Sequence, residues 1–324
     1  ASRLGLSRTA ALATGIGFGF CTFFMPLARL PFGGVQATTL LLGAFYLILT
    51  VRENLERGRR PSRYFLVVCG LCLAFAWMSQ DNLVYAVGVL VATMLLVLVS
   101  GHKRLGELRT ASAGKAGEKP RQLQDLLLFL GPLLVLAGVG ASLNVLRFDS
   151  LLGRGAVDME LLGQGDLAAG WAWAGPKQLA LQLLSPGGLL VLAPLLFLVP
   201  WGWTLSDGRA TRFSRHVILL LSVGVLFGGG LAHPGVQPWT FGPGHLLPLL
   251  PFLVLVAGVA LEQMRTTGGG RFFAMCLLLF GLLSNAGGVL VNHSAYEQLT
   301  ADLATATESE IALPATDFAH AAPW

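Results

Sequence analysis

The chain has 324 residues, of which 54% are hydrophobic and 12% charged, with a formal net charge of +5. Such a balance excludes an ordinary soluble domain and points to an integral membrane protein. The basic excess sits in short segments between apolar runs, which excludes a nucleic-acid surface and makes those residues topology determinants and contacts for anionic lipid headgroups.

Nine apolar runs follow one another along the chain, at 9–27, 36–51, 64–79, 82–100, 125–146, 188–205, 216–233, 244–261 and 272–291. Each approaches the roughly 20 residues a helix needs to cross the hydrocarbon layer. Barrel strands would alternate apolar and polar residues, and these runs do not. The expected fold is therefore all-α, a polytopic bundle of about nine membrane helices forming a single transmembrane domain over 1–324. The first run carries Gly15, Gly17 and Gly19, and the seventh Gly228, Gly229 and Gly230, residues that permit close helix approach. The third contains Cys69-x-x-Cys72 inside an apolar stretch; with Cys21 and Cys276, these read as small apolar packing residues, because a redox pair of this spacing needs a βαβ setting. The polar stretch 102–124 reads as a flexible cytoplasmic linker (101–124 between the spans).

Orientation follows from Lys and Arg. With the N-terminus in the cytoplasm, the segments 1–8, 52–63, 101–124, 206–215 and 262–271 lie inside and hold 18 of the 22 basic residues. The other side holds only Arg29, Arg147, Arg154 and Lys177, against ten acidic residues. This is the asymmetry expected of short loops flanking membrane helices. The C-terminus, with the tail 292–324, then lies on the extracytoplasmic side.

Function is expected on that outward side. Its longest connection, 147–187, carries Arg147, Asp149, Arg154 and Lys177 together with Trp171 and Trp173. Long connections of this kind are commonly lids or binding loops, and the tryptophans suit headgroup level. Within it, 176–184 is amphipathic and suits an interfacial helix. The stretch from Trp239 to Phe252 places Gly242, Pro243 and His245 ahead of a run interrupted by Pro248 and Pro251. Proline removes an amide and blocks regular helix, so this run should start unwound, with free backbone groups and an imidazole at its mouth.

Four segments carry a resemblance. Asn144-Val-Leu-Arg-Phe-Asp-Ser-Leu-Leu-Gly-Arg-Gly155 is similar to the Asn-x-x-Arg-Phe-Gly-Ser-Pro-x-x-x-Gly stretch of bacterial GT-C-type membrane glycosyltransferases. Leu184-Ser-Pro-Gly-Gly-Leu-Leu-Val-Leu-Ala-Pro194 resembles their Ser-Pro-Gly-Arg-Gly-Leu run that opens a span. Phe241-Gly-Pro-Gly-His-Leu-Leu-Pro-Leu-Leu-Pro-Phe252 is similar to Tyr-Gly-Pro-Arg-Tyr-Leu-Leu-Pro-x-Leu-Pro-Phe, and 24–33 resembles a Pro-Tyr-Ser-x-x-Phe-Phe-Gly element. The resemblance implies transfer of a sugar from a polyprenyl-phosphate donor to an extracytoplasmic glycan, lipid or protein acceptor. It also implies a bacterial inner (plasma) membrane location, and no cofactor beyond the lipid-linked donor. Ser185, Gly242, Pro243 and His245 fall on its substrate-binding motifs.

The departures are specific. The family's acidic pair follows its first span, whereas 28–35 contains no acid, so the resemblance leads to the expectation that the family's N-terminal spans are missing from this chain. Gly188 and Gly244 stand where the motifs have arginines. Inverting transfer needs a carboxylate base and positive charge for the leaving phosphate. Asp149 and, in the turn 79–82, Asp81 are the outward acids placed for the first role. Arg147, Arg154, Lys177 and His245 are the groups placed for the second. No metal-ligand cluster is apparent, and a divalent metal has no support in the sequence. The alternative is a non-catalytic subunit, either a transporter or flippase-like lipid handler or a scaffold. Transport pathways carry ionisable groups within spans. Here Asn144 and Asn285 are the strongly polar residues at that depth.

Overall fold

The computed structural model describes residues 6–22, 24, 33–79, 83–112, 122–148, 183–184, 188–205, 209–232 and 244–290. Among these the architecture is all-helical. The helices are α1 (Arg8–Phe20), α2 (Gly33–Glu56), α3 (Arg63–Ser79), α4 (Val84–Ser112), α5 (Gln122–Phe148), α6 (Leu189–Leu192), α7 (Val199–Thr204), α8 (Arg209–Ala232), α9 (Leu250–Met264) and α10 (Gly268–Leu290). Two 3-10 segments, Pro194–Leu198 and Gly244–Leu249, complete them. Five helical stretches are long and apolar enough to cross a membrane: Gly34–Glu56, Val84–Glu107, Gln122–Leu143, Leu246–Met264 and Gly268–Ala286. Helix α3, at 17 residues, is apolar but shorter. The molecule is a helical membrane protein.

Several helices differ from the apolar runs in informative ways. Helix α1 stops at Phe20, short of the expected 9–27. Helix α4 continues through 101–112, which the sequence suggested was flexible linker; its polar end is helical because Lys, Arg, Glu and Leu all favour helix. The run 188–205 is three short helical pieces rather than one continuous α-helix.

Hydroxyls along the helices follow one rule. Thr14, Thr50, Ser79, Thr93, Ser100, Ser142 and Ser222 each donate to the carbonyl four residues earlier, at 2.6–2.8 Å. Lipid offers no partner, so each hydroxyl is satisfied by its own helix.

The described chain falls into two compact units. One contains α2, α3, α4, α5 and the 217–232 part of α8. Helices α3 and α5 pack most extensively here. Gly70 faces the Phe129 carbonyl so closely that a Cβ would overlap it, while Gly101 leaves only 2.6 Å for a Cβ beside Leu55. Phe45, Leu66, Leu73, Leu90 and Phe129 fill the interior. At its basic end, buried His102 donates from Nδ1 to the Leu98 carbonyl at 2.7 Å. A carbonyl can only accept, so Nδ1 carries a hydrogen. The Nε2–Oδ2 contact with Asp125, at 3.0 Å, then requires one proton between the two atoms.

The other unit contains α1, α6, α7, the 209–216 part of α8, α9, α10 and both 3-10 segments. Helix α9 is its centre, with Leu250, Phe252, Val254, Ala257 and Ala260 buried. Gly202 of α7 lies against the Val256 backbone, and Gly258 of α9 against Thr14 of α1. Ser7 caps α1 and is itself held from outside the helix: its amide and hydroxyl donate to Glu262 Oε2 at 2.9 and 2.5 Å, while Arg265 holds Oε1 at 3.1 Å. This network pins the first turn of α1 to the last turns of α9 and satisfies groups that a helix start leaves open. Nearby, Arg215 donates to the Trp203 carbonyl at 3.0 Å and lies 5.6 Å from that indole ring.

Two stability predictions follow from these packing contacts. Gly70→Ala should destabilise the detergent-purified protein by about 1–3 kcal/mol, the usual cost of overpacking. Gly88→Ala, where a Cβ meets nothing within 4 Å, should leave thermal unfolding unchanged. At the second contact, Asp125→Asn should keep the melting temperature near wild type, because an amide supplies the donor that neutral His102 Nε2 accepts. Asp125→Leu should lower stability by about 1–3 kcal/mol through an unpaired imidazole nitrogen. Equal melting temperatures for the Asn and Leu variants would remove the hydrogen bond from the account.

Candidate functional site

In the α1/α9/α10 unit, Ser7, Glu262, Arg265 and Arg215 mark a basic end. The opposite end collects the irregular backbone. Ala193, at φ −136° and ψ 68°, stops α6, and Pro194 opens a 3-10 turn. The Leu196 amide bonds to the Ala193 carbonyl at 2.9 Å rather than to that of Leu192. The Leu192 carbonyl therefore loses its helical donor.

Asn285 supplies the replacement. It lies 17 residues beyond Gly268, about 26 Å along α10 at the helical rise. Fully buried, it donates from Nδ2 to the Leu192 carbonyl at 2.8 Å and to the Gly281 carbonyl at 2.7 Å. Both amide hydrogens are thus committed to carbonyls, which settles the orientation of the side chain. Its Oδ1 has no partner, alone among the buried side-chain nitrogen and oxygen atoms of the described residues. One turn earlier, Gly281 lets α10 approach the Cys21 carbonyl, leaving a Cβ only 2.6 Å from that oxygen and 3.1 Å from Pro194. Thr22 Oγ1, also buried, donates to the Phe18 carbonyl at 2.7 Å. The end of α1 and the break at 193–194 therefore both pack against α10 at Gly281, one turn from the Asn285 hydrogen bond.

The second irregular segment, Gly244–Leu249, leads into α9 with Pro248 inside it and Pro251 in the first turn of α9. Proline's missing amide is tolerated in a first turn, so the regular helix begins at Leu250. His245 lies on this 3-10 segment. Among the described residues, this end of the unit thus has two irregular helix starts and no Asp, Glu, Lys or Arg, which suits hydroxyl and amide hydrogen bonding.

The other sequence-derived site residues are placed as follows. Arg147 is in the last turn of α5. Asp81, Asp149, Arg154, Lys177, Ser185, Gly242 and Pro243 lie outside the described residues. None of these side chains is brought together with another by the described structure. Every carboxylate among the described residues, namely Glu53, Glu56, Glu107, Asp125 and Glu262, belongs to a helix end or its flanking turn on the basic side. No group of three or more His, Cys, Asp or Glu side chains there could hold a metal.

Sequence reasoning noticed Asn285 as polar at membrane depth but not its partner. The available signal was Pro194, which marks a break whose orphaned carbonyl needs a donor from elsewhere. No protein-family model, curated protein or solved structure matches the chain.

Because Asn285 repairs the break, Asn285→Leu should leave the Leu192 carbonyl unsatisfied and destabilise the protein by about 1–3 kcal/mol. Thermal unfolding in detergent reads this directly. An unchanged transition would mean that the Leu192 carbonyl does not depend on the amide.

Proposed function

We propose that this chain is a GT-C-like membrane glycosyltransferase, or a piece of one. It transfers a hexose or pentose from a polyprenyl-phosphate donor to an extracytoplasmic glycan, lipid or protein acceptor. The observation that carries the reading is the position of the unwound backbone. The two segments that resemble the family's span-opening motifs, 184–194 and 241–252, run into the two helices of one unit that start irregularly, at Leu189–Leu198 and Gly244–Leu249. Irregular backbone at membrane depth persists only where protein groups or a ligand satisfy it. A polar sugar headgroup on a lipid carrier is a ligand of that kind.

In this reading the outward segments provide the chemistry. Asp149, or Asp81, takes the proton of the acceptor hydroxyl. Arg147, Arg154, Lys177 and His245 balance the charge developing on the lipid phosphate. The lack of an acid in 28–35 favours the second reading, a non-catalytic lipid-handling or scaffold subunit. Its discriminating property is binding of lipid-linked sugar without turnover.

The test is transfer in proteoliposomes supplied with polyprenyl-phosphate hexose or pentose. Wild type should release polyprenyl phosphate and glycosylate an acceptor. Asp149→Asn should lower turnover by about 100-fold or more, the scale of general-base catalysis, with membrane insertion unchanged. Transfer at the wild-type rate in that variant removes Asp149 from the mechanism, and binding with no turnover in wild type selects the second reading.

A further inference from the structure

The turn joining α2 to α3 is built in a way that topology alone does not require. Helix α2 ends in a Schellman motif: Gly58 takes φ 73°, its amide bonds to the Leu55 carbonyl at 3.1 Å, and the Arg59 amide reaches back to the Asn54 carbonyl at 2.8 Å. Pro61 is buried, and the Ser62 carbonyl accepts from the Phe65 amide at 3.1 Å as α3 begins. Both sides of the turn are therefore held by backbone bonds, and the arginines between them project from a fixed frame.

The charge on this frame is one-sided. Glu53 and Glu56 pair with Arg57 and Arg52 at 2.5 and 2.9 Å. The segment 52–63 has five arginines against these two acids, a net charge of +3, and Arg59, Arg60 and Arg63 are all exposed. Directly beyond Arg63 an exposed apolar face begins, with Tyr64 81%, Phe65 36%, Val68 43% and Phe75 42% exposed along α3. In a membrane helix that face meets acyl chains, and a tyrosine at its start marks headgroup level. Guanidinium groups therefore stand at the depth of lipid phosphates, beside a surface for lipid tails.

We infer that the 57–63 turn and the first turns of α3 form a binding site for an anionic phospholipid. The headgroup phosphate is held by Arg59 and Arg63, with the charge of Arg60 beside them, and one acyl chain lies along Tyr64, Phe65 and Val68. Arginine suits this role because its planar fork pairs with two phosphate oxygens at once. The apolar face selects a phospholipid over a soluble anion. The site is independent of the sugar-transfer reading, since it lies in the other unit and uses none of its residues.

The experiment places the 324-residue chain in nanodiscs made from equal parts phosphatidylcholine and phosphatidylglycerol. The lipids that remain bound after mild detergent extraction are counted by native mass spectrometry. Wild type should retain phosphatidylglycerol over phosphatidylcholine by about five-fold or more, since one basic residue near an anionic surface contributes roughly five-fold. The Arg59→Gln/Arg60→Gln/Arg63→Gln variant should lose that preference, while Lys103→Gln/Arg104→Gln should keep it. Arg59→Gln alone, at an exposed position on a turn, should lower it about two-fold to five-fold without a change in thermal unfolding. Equal retention of the two lipids by wild type, undiminished preference in both Arg59 variants, or the same loss in the Lys103/Arg104 variant would overturn the site.

Discussion

Hydrocarbon offers no hydrogen-bonding partner, and the structure depends on that constraint throughout. A backbone group left open in lipid costs several kcal/mol, so a break in a membrane helix must be repaired by protein or ligand. Regular helices meet the requirement by themselves, down to the hydroxyls that bond to carbonyls one turn back. The break at Ala193–Pro194 cannot, and Asn285 reaches across from α10 to make good the Leu192 carbonyl. At that end of the α1/α9/α10 unit one amide side chain satisfies the carbonyl the break leaves open.

Close approach is the second element. Without water between helices, packing replaces the hydrophobic drive, and small residues allow backbones to touch. Gly70 against Phe129, Gly202 against Val256 and Gly281 against Cys21 are the positions where this occurs most tightly. The last of these places the end of α1 beside the Asn285 contact, so a packing residue and a hydrogen-bonding residue one turn apart on α10 cooperate at the same spot.

Charge is distributed by the same physics. Four of the five carboxylates among the described residues sit near helix ends in a defined arrangement: Glu53 and Glu56 with arginines one turn away, Glu262 with Ser7 and Arg265, Asp125 with His102. The unwound end of the α1/α9/α10 unit is uncharged among the described residues. The described groups there can recognise a partner only by hydrogen bonds.

The sequence by itself determined that the protein is a helical membrane protein, because a run of about 20 apolar residues has few other stable forms in or out of lipid. It also located the irregular start of α9, since Pro248 and Pro251 remove amides that a regular helix needs. It did not reveal that α1 would stop at Phe20, that α4 would run on to Ser112, or that 188–205 would divide into three. The extension of α4 follows local helix propensity and the division of 188–205 follows Pro194, whereas the placement of α1 rests on contacts between segments far apart in the chain, Ser7 with Glu262 and Gly281 with Cys21. Nor did it pair His102 with Asp125 or Leu192 with Asn285, because hydropathy patterns describe each helix alone. Which polar groups meet across helices was decided only by the tertiary structure, where each buried donor or acceptor must find its partner.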